Sequence, residues 1–405
     1  MRRVAVTGAG ALTALGSTLP ETWQGLLEGR CGIRPVTLFD TSACRVQTGG
    51  QFAREPGPAL PSRTTRRMSR TDRAAAQAAQ EALRDSGLDP RAWEPARVGL
   101  FLGASTSGLF EAENWWIEQR SGRRAARLSG ALNYFLNATA DRLAGLFGIE
   151  GPVVTIATAC SSSVAAIGAG GDAIRSGRCD IALAGGADTF ARLTFAGFTS
   201  LRAIDPERCR PFDARRKGLS LGEGAAILVL EDLRTARRRG VRVLAEILGY
   251  GLSCDAWHTT APHPEGDGAA RAMLDALRRS RVDASRVGCV FAHGTGTPAN
   301  DPAETAAIHA VFESRAGDVA VSGIKSMIGH CLGAAGAVGA VAAVMSVADG
   351  VIPPTAGWEV RDPQCDLDYV PGSARVTALD VALVNGFGFG GTNASLVVAR
   401  CEGGE

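Results

Sequence analysis

Apolar positions along the chain fall into two alternating kinds of segment. Short runs rich in β-branched residues, apolar without strict alternation, are typical of strands covered by helices on both faces. Ala-rich stretches with regular polar interruptions lie between them and predict helices, so the pattern indicates an α/β protein. The predicted strands are residues 4–7, 98–102, 153–157, 181–184, 226–230, 243–249, 289–292, 319–322, 381–385 and 395–399.

The sequence also repeats itself. Residues 71–106 match residues 266–297, since each segment has an Ala-rich helix, a short connector and a strand that ends in small residues. A weaker pair, 151–186 and 318–353, places Cys160 and His330 in related turns, each before a helix of small residues. We therefore predict two duplicated halves, residues 1–240 and 241–405, whose pseudo-symmetry brings the two turns together.

Composition excludes several function classes. The 405 residues carry a net charge of +2, without the clustered basic excess of a nucleic-acid-binding protein. Ten cysteines without C-x-x-C spacing are too sparse for a disulfide scaffold, so we expect free thiols in a cytoplasmic protein. The apolar run 331–347 is shorter than the ~20 residues of a membrane span, which predicts a buried core helix and no membrane association.

A glycine-rich segment, VTGAGALTALG, follows the first strand and invites a dinucleotide-binding interpretation. Thr13 stands where the third glycine of that motif belongs, and no acidic residue follows at the usual distance. The Tyr-x-x-x-Lys motif of short-chain dehydrogenases is also absent from the sequence. We expect a structural glycine turn here and no nicotinamide cofactor.

Cys160 is the strongest candidate nucleophile. It lies in TIATACSSS, where a predicted strand runs directly into a helix. The amides of a helix N-terminus lower a thiol pKa, and the N–H of the cysteine itself faces a developing oxyanion. The alternative interpretation is a small, buried structural thiol.

Two of the five histidines, His293 in FAHGTGTPANDPAET and His330 in SGIKSMIGHCLGAAGA, follow predicted strands. Glu304 and Lys325 lie close to them in sequence, and a buried pair of these charges would fix the imidazoles. No H-E-x-x-H or H-x-x-E-H spacing occurs, so we predict no metal site.

The segment GFGFGGTN at 386–393 is a glycine turn that contains Phe387 and Phe389. Its small residues allow the backbone to pass close to another group, and the two rings can close an apolar tunnel. The alternative is a plain hairpin turn, for which aromatic residues are unusual.

Together, TACSSS, HGTGTPANDPAE, GIKSMIGHCLGAAG and GFGFGGTN resemble the β-ketoacyl-acyl-carrier-protein synthases, Cys-His-His condensing enzymes of type II in the thiolase superfamily. RPFDARRKGLSLGEGAA at 210–226 matches another block of that family, and the blocks keep the family order over residues 1–400. The resemblance implies a thiolase fold: two pseudo-duplicated βαβαβαββ halves in five αβαβα layers. It also implies an acyl carrier protein as partner, a homodimer, and no cofactor.

By motif position, Cys160 resembles the nucleophile that takes the acyl chain, and His293 and His330 resemble the pair that binds the malonyl thioester. The backbone N–H groups of Cys160 and Phe389 would form the oxyanion hole, with Phe389 also gating the acyl tunnel. The implied reaction is a decarboxylative Claisen condensation with malonyl-acyl-carrier protein, giving the 3-oxoacyl product and CO2, in fatty-acid or polyketide and polyene biosynthesis.

Supporting roles follow from the same resemblance. Lys325, paired with Glu304, would order the histidines. The carrier protein is acidic, so exposed arginines near the tunnel mouth are candidates for docking. The acyl-pocket candidates are Phe198, Phe387 and Trp115, and the docking candidates are Arg63, Arg66, Arg67, Arg70, Arg123, Arg124 and Arg202.

Related families differ at these positions. Degradative thiolases have a second cysteine in the C-terminal glycine turn, and the third type of ketoacyl synthase has Asn where His330 stands. Chain-length-factor subunits lack the nucleophile, so the presence of Cys160 predicts a catalytic chain. The alternative is a non-catalytic or partner-dependent subunit of a polyketide synthase complex, and a heterodimer with a chain-length-factor-like subunit remains open. The SSS after Cys160 favours a specialised polyketide or polyene pathway over housekeeping lipid synthesis.

Overall fold

The computed structural model describes residues 2–89, 92–122 and 128–401. Its strands are β1 Val4–Leu12, β2 Arg34–Pro35, β3 Thr48–Gly49, β4 Val98–Gly103, β5 Val153–Ile156, β6 Ile181–Asp188, β7 Gly224–Asp232, β8 Ala245–Cys254, β9 Val287–Phe291, β10 Ala320–Ser322, β11 Val351–Ile352, β12 Arg375–Val376, β13 Val381–Gly388 and β14 Thr392–Ala399. Its helices are α1 Leu19–Leu27, α2 Ser62–Thr65, α3 Arg70–Asp85, α4 Leu109–Arg120, α5 Ser129–Leu132, α6 Ala138–Phe147, α7 Ser162–Arg175, α8 Arg192–Ser200, α9 Leu233–Arg238, α10 Asp267–Ser280, α11 Asn300–Phe312, α12 Lys325–Ile328 and α13 Ala335–Asp349.

The ten strands of the large sheet confirm the duplication predicted from the sequence. In the first half the strand order is β5-β4-β6-β7-β1, and in the second half it is β10-β9-β13-β14-β8. Each half has the same sequence of parallel and antiparallel pairings. A short antiparallel contact between β1 and β8, at Ala5–Glu246 and Val6–Ala245, joins the two half-sheets.

Five layers result from how the helices cover these half-sheets. α7 and α13 pack against each other and against strands of both half-sheets, so they form the central layer. α3 and α6 cover the outer face of the first half-sheet, and α10 with α11 covers that of the second. The expected five-layer arrangement is therefore confirmed.

The apolar segment Leu332–Asp349 is long and apolar enough to cross a membrane by length and composition, and 78 % of it is buried inside the fold. Packing between the half-sheets accounts for its apolar side chains, as the sequence analysis predicted for a core helix.

The glycines after the first strand do not form the expected turn. β1 continues through Gly8 and Gly10 to Leu12. α3 crosses so close that a Cβ at Gly8 would lie 2.2 Å from the carbonyl oxygen of Ala82, and one at Gly10 would lie 2.1 Å from that of Ala78. These glycines therefore permit close helix–strand packing, and the prediction of a turn was wrong.

The two central helices begin in related ways. Short 3-10 turns, Ala159–Ser161 and Leu332–Ala334, precede α7 and α13, and the first residue of each turn has a φ of 52°. Cys160 thus corresponds to Gly333 in the duplicated half, while His330 lies three residues earlier. The two turns contact each other, which places the cysteine and the histidine at one point between the halves.

Candidate active site

Cys160 and His330 meet at the start of the central layer. The Sγ of Cys160 lies 3.0 Å from the Nε2 of His330, and both residues are buried. The other ring nitrogen of His330, Nδ1, accepts the backbone N–H of Leu332 at 3.2 Å. Because an accepting Nδ1 carries no proton, the Nε2 of the neutral ring is protonated and donates to the sulfur.

His293 completes a triad. Its ring centroid lies 5.3 Å from that of His330, with the two planes nearly perpendicular at 83°. Burial and the neighbouring charge of Lys325 hold the pKa of both histidines well below the ordinary range, so both rings are neutral at pH 7. The Nδ1 of His293 is buried and has no hydrogen-bond partner among the described residues. The ring lines a cavity that also reaches Cys160 and His330, so this neutral imidazole can contact a substrate bound there.

Glu304 and Lys325 fix His293 through its backbone. Glu304 accepts the N–H groups of His293 and Gly294, both at 2.8 Å, and Lys325 donates from Nζ to the carbonyl oxygen of His293. Lys325 and Glu304 also interact through their charges: burial raises the pKa of the carboxyl and lowers the pKa of the lysine, and the charge of each residue opposes that effect in the other. Among the described residues no salt bridge within 4.0 Å joins the two, so the expected pair acts through this charge interaction and through three hydrogen bonds to one peptide segment. Asn385 donates to Glu304 at 3.1 Å, a contact that the sequence analysis missed.

The electrostatics of Cys160 differ from the expectation. Burial raises the pKa of its thiol to about 11, while the Lys325 charge and the backbone N–H groups of Phe389 and Cys160 act in the opposite direction. The sequence showed the helix N-terminus but not the degree of enclosure, and loss of hydration disfavours the thiolate. The two N–H groups that reach the sulfur are those expected in the oxyanion hole.

Three potential metal ligands converge here. Single ligand atoms of Cys160, His293 and His330 lie within 4.8 Å of one another. However, the Nε2 of His330 carries a proton because Nδ1 is an acceptor, and the Lys325 charge is close by. The set is therefore suited to donating hydrogen bonds to an anion and not to binding a cation.

Two cavities reach Cys160. The first cavity has a volume of about 290 Å³ and is lined by His293 and His330. The second has a volume of about 350 Å³ and is lined mainly by apolar atoms. Phe198 and Phe389 line both cavities, and their rings stack at 5.5 Å between centroids. The first cavity is further lined by Arg202, Lys217, Asp255, Thr260, Thr295, Thr297 and Phe387, and the second by Thr106, Leu136, Thr194 and Leu332.

Two of the three acyl-pocket candidates line a cavity that reaches Cys160. Phe198 lines both cavities and Phe387 lines the first, whereas Trp115 lines neither and lies on α4 beside Gly130. Trp115 lies on α4, in the segment that the resemblance associates with the acyl pocket, but the sequence could not show in which direction its side chain points.

The glycine turn carries Phe389 across the nucleophile. A Cβ at Gly388 would lie 2.9 Å from the carbonyl oxygen of Thr158, two residues before Cys160. Gly390 and Gly391 have φ values of +84° and +76°, a region that favours glycine. The turn thus needs glycine both to approach the nucleophile and to reverse direction.

The arginines predicted to dock the carrier protein lie at different places in the structure. Arg202 lines the first cavity together with Lys217, which the sequence analysis did not place there. Arg63, Arg66 and Arg67 are exposed on or beside α2 and line neither cavity. Arg123 and Arg124 lie outside the described residues.

Arg70 is a correction to the docking set. It is 2 % exposed and binds the carboxylate of Glu223 through two bonds of 2.7 and 2.8 Å. A buried, bidentate guanidinium belongs to the core of the fold and cannot meet a docking protein. Its position in the sequence, at the start of an Ala-rich helix, gave no sign of this burial.

Comparisons with known proteins agree with this geometry. The chain matches the family model for the β-ketoacyl synthase N-terminal domain over residues 1–236 and that for the C-terminal domain over residues 244–359. It is 40 % identical to 3-oxoacyl-(acyl-carrier-protein) synthase 2 of Synechocystis, covering 99 % of each chain. It is 39 % identical to the tetracenomycin polyketide synthase ketoacyl synthase alpha subunit of Streptomyces glaucescens, covering 98 % of this chain and 97 % of that one. The solved ishigamide ketosynthase/chain length factor is 36 % identical over 99 % of each chain, with a TM-score of 0.92.

Proposed function

Because the chain belongs to the β-ketoacyl synthase family, condensing enzymes of fatty-acid or polyketide synthesis, we propose that it extends an acyl group held on Cys160 by two carbons taken from a malonyl thioester. The observation that carries this proposal is the Cys160–His330–His293 cluster, in which a buried thiol faces two neutral imidazoles at the junction of two cavities.

Acyl transfer is the first step. The Sγ of Cys160 attacks the carbonyl carbon of an acyl-carrier thioester, and the N–H groups of Cys160 and Phe389 bind the oxyanion that forms. The carbon–sulfur bond to the carrier then breaks, and the carrier thiol leaves with the proton of the cysteine. His330 stabilises the developing thiolate through Nε2–H, which lies 3.0 Å from the sulfur.

Condensation follows with a malonyl thioester. Its carboxylate leaves as CO2, and the electron pair of the broken carbon–carbon bond stays as an enolate. The N–H groups of His293 and His330 would hold the enolate oxygen. The carbanion attacks the acyl carbonyl on Cys160, and the sulfur departs as a thiolate, leaving the 3-oxoacyl chain on the carrier.

Carrier-protein docking is proposed for the mouth of the first cavity. Arg202 and Lys217 are exposed there and offer two positive charges to an acidic partner. Arg66 and Arg67 add exposed charge on the same half of the chain. We place this chemistry in the cytoplasm, where ten free thiols remain reduced.

A second chain is proposed to cover the apolar face around α4 and α5. Trp116, Leu132, Tyr134 and Phe135 are each more than half exposed there, and such a surface is typical of an interface. Leu136 both lines the second cavity and is 36 % exposed, so that cavity reaches the same face. Sedimentation of the purified chain distinguishes a homodimer from a monomer that dimerises only with a chain-length-factor-like subunit.

The decisive experiment is intact mass spectrometry after incubation with acyl-carrier thioesters from acetyl to palmitoyl. An adduct that is lost on adding malonyl-carrier protein, with release of CO2, supports the proposal. The Cys160→Ala variant should give no adduct, while Cys31→Ala, which removes an exposed thiol, should behave as the wild type. Absence of any adduct on the wild-type chain, alone and with a partner subunit, would favour the non-catalytic alternative.

A further inference from the structure

The first turn of α8 is held by a residue from another helix. Ala191, at the N-cap of α8, offers no side-chain acceptor. The backbone N–H groups of Arg192 and Leu193 donate instead to the two carboxylate oxygens of Glu113, at 2.9 and 2.7 Å. Helix N-termini need such acceptors because their first amides have no partner within the helix. Glu113, on α4 and only 14 % exposed, therefore caps α8 from outside.

A second contact ties the same two helices. The guanidinium of Arg192 donates to the side-chain oxygen of Asn114 at 2.9 Å and lies over the ring of Phe110, 4.8 Å from its centroid. Since Asn114 and Phe110 both belong to α4, the N-terminus of α8 has a fixed place on that helix.

α8 also carries Phe198, which together with Phe389 forms the ring pair that we call the acyl gate. Phe195 is buried and packs edge-on against Phe39 and Phe190, which fixes one side of the helix. Phe198, one turn later, stacks on Phe389 between the two cavities. Thr194 lines the cavity beyond this pair. The placement of α8 thus decides where Phe198 stands and what space lies behind it.

We propose that Glu113 is a positioning residue for the acyl gate: its carboxylate anchors α8 so that Phe198 lies against Phe389 and the cavity beyond accepts long acyl chains. This inference rests on the proposed condensing function. The second cavity reaches Cys160, so an acetyl group there occupies only the space next to the sulfur, whereas a long chain must fill the part of the cavity that Thr194 and Phe198 line. Removing the Glu113 carboxylate should therefore slow the acylation of Cys160 by long acyl primers, the acyl groups first loaded on the enzyme, more than acylation by acetyl.

The test compares Glu113→Ala, Glu113→Gln and the control Glu118→Ala, which removes an exposed carboxylate from the same helix. Acylation of Cys160 is measured with acetyl- and dodecanoyl-carrier thioesters. Loss of a helix cap should lower the dodecanoyl to acetyl ratio of kcat/KM about tenfold in Glu113→Ala. Glu113→Gln, which keeps one acceptor oxygen, should lie between, and Glu118→Ala should match the wild type.

Hydrogen exchange of peptides that contain Arg192 and Leu193 gives a readout independent of activity. It should accelerate in Glu113→Ala and remain unchanged in Glu118→Ala. An unchanged primer ratio in folded Glu113→Ala overturns the positioning role, as does an equal loss with both primers. Malonyl decarboxylation should stay within about twofold of wild type, since the triad is untouched. If wild-type protein gives no adduct with either primer, the proposed function fails, a result distinct from failure of this inference.

Discussion

Replacing His330 by alanine removes a single hydrogen-bond donor whose geometry is fixed. The Nε2–H of His330 points at the Sγ of Cys160 over 3.0 Å, and the Leu332 N–H at Nδ1 prevents the other tautomer. A hydrogen bond to a charged group contributes ~1.5–3 kcal/mol. Because 1.36 kcal/mol corresponds to a tenfold change, the thiolate of His330→Ala should be about 10- to 100-fold less populated at fixed pH.

Two assays check this magnitude. Iodoacetamide alkylation of Cys160, followed by intact mass at pH 8, should slow by that factor, since only the thiolate reacts. Release of CO2 from malonyl-carrier protein should fall about 10²- to 10³-fold, as for loss of an oxyanion-hole donor.

His330→Asn is the matched control, because an amide nitrogen also donates a hydrogen bond. It should retain more of both activities than His330→Ala. If alanine and asparagine variants are equally active, or if alanine keeps decarboxylation within tenfold of the wild type, donation by His330 is not what the site requires.

Three further predictions concern neighbouring groups. Cys160→Ala should abolish acyl adducts while malonyl decarboxylation persists, as CO2 release will show; loss of both activities in a folded variant would contradict the division of roles. Lys325→Met removes a positive charge that lowers the pKa of the Cys160 thiol, so that pKa should rise and the alkylation profile should move to higher pH; a profile displaced to lower pH would refute this sign. Arg202→Glu should raise the KM for acyl-carrier substrates severalfold and leave the KM for small thioesters unchanged. Steady-state kinetics with both kinds of substrate test this, and an equal change in the two KM values would exclude a docking role for Arg202.

Much of the fold could be predicted from the order of residues. All ten strands of the large sheet lie where the sequence has apolar runs, because strands covered by helices on both faces are apolar along their length. The repeat in the helix–connector–strand segments predicted two halves with one topology. Cys160, His293 and His330 could be named as site candidates because each lies next to small residues at the end of a strand.

Only the tertiary structure showed which of the candidate residues are buried and how burial changes their charge and pKa. Arg70 looked like surface charge in the sequence, yet it pairs with Glu223, 153 residues away, inside the core. The helix N-terminus at Cys160 suggested a lowered thiol pKa, and burial raises it to about 11 because desolvation opposes the thiolate.

Contacts between residues far apart in the chain could not be predicted from the sequence either. Local pattern sets which residues can form a strand, a helix or a turn, since these depend on near neighbours. Contacts such as Glu113 with α8, or Lys325 with the carbonyl of His293, join residues distant in the chain. Only the packing of the two halves brings them together, and that packing fixes the tautomer, the charge and the gate on which the proposed chemistry depends.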